Sequence, residues 1–132
     1  MALADDLERM AAAAAAHGSV SAVLACEPAA GVRRYVVALG DDDHRRWLVL
    51  DDGGRPVTRR EDVRDAASIV AMCELAGDLA GNDDVPRLAT PGYLDSAGAG
   101  REQDFAGAVR AGIGAVDEFV RDVERGYALD LS

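Results

Sequence analysis

The chain has 132 residues, a formal net charge of −10, and 5% aromatic residues among 49% hydrophobic ones. That length suits one domain that buries roughly two-thirds of its unfolded surface. The acidic balance, with a pI near 4.5, excludes a broadly basic face for nucleic acid or for anionic membranes.

All fourteen basic residues are arginine, so Schiff-base chemistry and the lysine-bearing phosphate loop are excluded. The opening MALADDLERM has no basic leader region, and the alanine run after it falls far short of the ~20 residues of a membrane span. A cytoplasmic protein is expected, with Cys26 and Cys73 as buried, free thiols.

The first predicted element is a helix over residues 3–16. Leu3, Leu7, Met10 and Ala14 recur at helical spacing, alanine favours the helix, and Gly18 stops it. A strand over 19–27 follows, with Val20, Ala22, Leu24 and Cys26 alternating onto one side. After PAAG, a strand over 33–40 places Tyr35, Val37 and Leu39 together. In GDDDHRRWLVLDDGG (residues 40–54), a third strand puts Trp47 and Val49 on one face and Leu48 and Leu50 on the other. Asp52-Gly53 has the sequence of a type I′ hairpin turn. Arg55-Pro56-Val57 would return as a short fourth strand, kept to an edge because Pro56 cannot donate to a ladder.

Thr58 and Glu61 have capping-box spacing and open a predicted helix over 59–80. Val63, Ala66, Ile69, Val70, Cys73, Ala76 and Leu79 form its buried face. Arg60, Arg64, Glu74 and Asp78 share another stripe, which points Glu74 at solvent. Residues 81–101 have no periodicity beyond a short strand near Leu88. Loops of that length in compact domains tend to be functional or disordered. A last helix is predicted over 102–125. Phe105, Val109, Gly112, Val116, Phe119 and Val123 mark its core face, widened by Ile113 and Val120. Tyr127, Leu129 and Leu131 could dock the tail on the core. In order, these elements predict an α+β domain: an N-terminal helix, an antiparallel meander of three to four strands, then two long helices packed on one sheet face.

The aspartates of residues 40–54 raise the question of a metal. Those at 41–43 and at 51–52 flank one strand, and at about 3.3 Å per residue they lie roughly 25–30 Å apart. They cannot share an ion, and DDDHRR fails the calcium-loop pattern because Arg45 occupies its fifth position. His17, His44 and the two cysteines lack zinc-site spacing, and no nucleophile has an arguable base. SAGAGRE enters a helix through glycines, but Glu102 and Asp104 in its first turn would repel a phosphate. No catalytic residue, metal or cofactor is expected.

Three arginine pairs stand out: Arg33-Arg34, Arg45-Arg46 and Arg59-Arg60. In a meander the last two share one edge beside the aspartates at 41–43. They read either as surface ion pairs, each worth under about 1 kcal/mol, or as an anion site. In the second reading Arg46 and Arg60 hold a ligand against Trp47 or Tyr93. Ala108, Ala111 and Ala115 add a row of small residues beside the core stripe of the last helix, where another helix can approach to about 8–10 Å. Either the first helix or a symmetric partner would fill that row. The expected function is a non-enzymatic, homodimeric protein-binding module, adaptor- or chaperone-like, that engages another protein. A small-ligand-binding or regulatory domain is the alternative, and an enzyme of unknown reaction the second alternative.

Overall fold

The computed structural model describes residues 3–41, 43–80, 88–91 and 102–127; at 77–80 and 102–111 it describes the backbone alone. The elements are α1 (Leu3–Ala14), β1 (Val20–Ala29), β2 (Val32–Leu39), β3 (Arg46–Asp51), α2 (Arg60–Ala80), β4 (Leu88–Ala89) and α3 (Glu102–Arg125), with a short 3-10 turn, Ala15–His17, after α1. The fold is α+β: a helix, then strands, then helices. Among the described residues, no helix is long and apolar enough to cross a membrane.

The sheet order is β3-β2-β1-β4. β1 with β2 and β2 with β3 are antiparallel, as the alternation predicted. The fourth strand departs from the expected meander. Residues 55–57 make only an isolated bridge between Pro56 and Leu50, supported by hydrogen bonds from Asp51 N to Arg55 O (2.9 Å) and from Val57 N to Val49 O (2.7 Å). The fourth strand is instead Leu88–Ala89, at the opposite edge and parallel to β1. Parallel pairing needs a crossover, and α2, with 21 residues, provides a return of about 30 Å.

Both faces of the sheet are covered. On one side Met10 and Ala14 of α1 pack with Ala25, Tyr35, Val37, Leu39, Leu48 and Leu50. On the other, Cys26, Val36 and Val49 meet α2 through Val63, Ala66, Val70 and Cys73, and α3 through Val120 and Val123. The first helix therefore lies across the sheet from the last one. Burial on both sides explains the unbroken apolar run YVVAL in β2, each residue of which is buried.

Two local details correct the sequence reading. Between Val20↔Leu39 and Ala22↔Ala38 the register shifts by one residue, so Ser21 forms a β-bulge. Val20 consequently packs on the α1 side, not with Leu24 and Cys26. The hairpin after β3 is also not type I′. Its positive φ falls on Gly54, at +79°, and not on Asp52 or Gly53. Gly54 N donates to Asp51 O at 3.0 Å, and the Asp51 carboxylate accepts from the amides of Gly53 (2.9 Å) and Arg55 (3.0 Å). This is a turn closed by a left-handed glycine.

The other aspartate cluster has a similar task. Asp41 Oδ1 accepts from the amides of Asp43 (3.1 Å) and His44 (2.9 Å), which is how aspartate shapes a tight turn. After α3, Trp47 N donates to Gly126 O at 2.7 Å, and Tyr127 bridges Trp47 in parallel. Leu129 and Leu131 lie outside the described residues.

Candidate functional site

The arginine edge does not assemble into one site. Arg46 Nη2 donates to the His17 carbonyl at 2.9 Å, at the end of the turn that follows α1. A cation there complements the helix dipole. Arg60 lies on the α2–α3 side, with Nε 3.9 Å from Glu124, and Arg64 pairs with the same carboxylate at 3.3 Å. Both arginines are largely exposed, so these pairs add little stability. Arg45 and Arg46 part company: Arg45 lies over the Trp47 ring, whereas Arg46 reaches the turn after α1.

Trp47 is a packing residue. Its ring meets Phe119 edge-on, with centroids 5.3 Å apart and planes at 77°, and the Arg45 guanidinium lies 5.8 Å from its centroid. This joins α3 to β3. A shallow cleft beside it holds about 370 Å³ and mixes Asp43, Arg45, Asp122 and Arg125. Tyr93 lies outside the described residues.

An apolar opening among the described residues lies elsewhere. A groove of about 450 Å³ runs between α2 and α3. Val70, Ala71 and Leu75 come from α2, Ala115, Val116 and Phe119 from α3, and Leu24 of β1 also lines it. The two helices come close at Gly112, where an added Cβ would lie 2.6 Å from Leu75 Cδ2. Glu74 is exposed, as its stripe predicted, yet it also lines this groove. Ile113 is 46% exposed, and Ala115 is exposed. The side chains of Ala108 and Ala111, the other members of the small-residue row, lie outside the described residues.

Ala71 and Leu75 were not singled out from sequence, and Leu24 was read only as a strand residue on the side of Cys26. Ala71 and Leu75 sit four residues apart, off the stripe that packs on the sheet, and that offset is the signal they carried.

The thiols have structural environments. Burial pushes Cys26 up to about 12, and its sulfur lies 3.9 Å from Ala66 O. Burial also raises Cys73, with Glu74 adding in the same direction. Such thiols stay protonated and unreactive at neutral pH. Among the described residues, no group of three or more His, Cys, Asp or Glu side chains is placed to hold a metal ion. No protein-family model, curated protein or solved structure matches the chain.

Proposed function

We propose that this chain is a cytoplasmic, non-enzymatic protein-binding module. It works as a homodimer in which α3 of one copy packs along the α2–α3 groove of the other, and the dimer serves as an adaptor for a further protein. The observation that carries this reading is the groove itself, an apolar channel with the exposed Ala115 in its lining. α1 packs on the far face of the sheet and does not cover it. A small residue such as Ala115 lets a second helix approach closely, and closed two-fold dimers are the commonest assemblies. The acidic surface, with a net charge of −10, suits a further partner with basic groups around an apolar segment.

Ala115→Arg tests the reading by light scattering at about 100 μM, a concentration at which a dimer of micromolar Kd is nearly fully formed. The expected result is a dimeric wild type and a folded, monomeric variant. A monomeric wild type, or a variant that remains dimeric, would overturn it.

A further inference from the structure

A second cleft, of about 500 Å³, lies between the first turns of α2 and the β1–β2 hairpin. Arg34 of β2 lines it together with Asp62 and Asp65 of α2. Val32, Ile69 and Met72 supply apolar walls, and Val32 is 37% exposed. Arg34 is held in place, since Nη1 donates to the Arg33 carbonyl at 2.9 Å and Nε is buried. Its Nη2 has no protein acceptor among the described residues.

The charges in this cleft do not meet. Among the described residues, Arg34, Asp62 and Asp65 belong to no ion pair. Elsewhere in the protein, neighbouring guanidinium and carboxylate groups pair: Arg33 with Glu27 at 2.7 Å, and Arg64 with Glu124 at 3.3 Å. Here the cation is fixed to a strand and the anions to a helix, with a ligand-sized space beside them. The complementary molecule carries both charges itself and has an apolar body.

We propose that this cleft binds a small zwitterion, an α-amino acid with an aliphatic side chain. Its carboxylate meets the Arg34 guanidinium, the donor best shaped for a carboxylate. Its ammonium lies toward Asp62 and Asp65, and its side chain packs on Val32 and Met72. The site is separate from the α2–α3 groove and does not depend on the dimer.

Isothermal titration calorimetry with L-leucine and L-methionine tests this. The controls are 4-methylpentanoate, which lacks the ammonium, and 3-methylbutylamine, which lacks the carboxylate. At least one amino acid should bind saturably, and each control at least about tenfold more weakly. Arg34→Met and Asp65→Asn should each weaken amino-acid binding by about tenfold or more. Asp65 is exposed on α2, so its variant keeps the fold even if that of Arg34 does not. Three results would each overturn the proposal: no saturable binding of either amino acid up to about 10 mM, a control that binds as tightly as the amino acid, or unchanged affinity in the Asp65 variant.

Discussion

Tyr127→Phe isolates the clasp that ties the end of α3 to the sheet. The Tyr127 hydroxyl lies 3.3 Å from both Val49 N and Val49 O, and it donates to Val57 O. The Val49 carbonyl keeps a second partner, the Val57 amide at 2.7 Å. Phenylalanine preserves the ring, which packs against both core clusters. The substitution therefore removes the acceptor for one amide and the donor for one carbonyl and little else. Two net hydrogen bonds at about 1 kcal/mol each give a loss of about 2 kcal/mol. For a domain of this size that lowers the melting temperature by roughly 6–10 °C. Urea titration at neutral pH measures it as a lower midpoint with an unchanged slope. Hydrogen exchange should quicken at the Val49 amide relative to the centre of β2. A loss under about 0.5 kcal/mol, half of one net hydrogen bond, would show that the hydroxyl does not hold the hairpin, and the clasp would be refuted.

The buried thiols predict an alkaline decline in stability. Cys26 keeps its proton to about 12 in the folded chain, whereas an unfolded thiol ionises near 8.5. Above that pH the unfolded state binds fewer protons, so stability falls by up to about 1.4 kcal/mol per pH unit. Burial raises Cys73 and Tyr127 in the same direction. Urea midpoints between about pH 8 and 10.5 should fall less steeply for Cys26→Ala than for wild type; equal slopes would count against a buried, protonated thiol. Gly40→Ala should cost more than about 1 kcal/mol, because Gly40 has φ +82° and an added Cβ would lie 2.4 Å from the His44 carbonyl oxygen. An unchanged melting temperature would contradict that turn geometry.

Alternation along a strand is a local property, and it was readable. Trp47 and Val49 do face the α2–α3 side, while Leu48 and Leu50 face α1. The pairing of β4 was not readable, because two residues carry no pattern and their partner depends on where α2 returns the chain. The apolar stripe of α1 shows that it packs, but not on which face of the sheet. At Ser21, a one-residue bulge reversed the side assigned to Val20. Arg46 illustrates a different limit. A meander suggested that Arg46 and Arg60 share one edge, but Arg46 reaches the turn after α1 while Arg60 meets Glu124 of α3. The groove combines side chains from β1, α2 and α3, and only Ala115 had been marked for contact with another helix.

The parallel strand also dictates an order of assembly. β1, β2 and β3 follow one another through short connections, so their contacts close at small entropic cost. Ala25 meets Leu88 only after α2 has formed and crossed, which makes β4 the late step. Among the described residues β4 pairs with Ala25 and Cys26, at the end of the run VSAVLAC, residues 20–26, a stretch without a single charge. Charged residues and prolines normally guard such an edge, and this stretch has neither. Nascent chains are most prone to pair along this edge before α2 and β4 dock, so refolding at high concentration should lose yield when the crossover is slow.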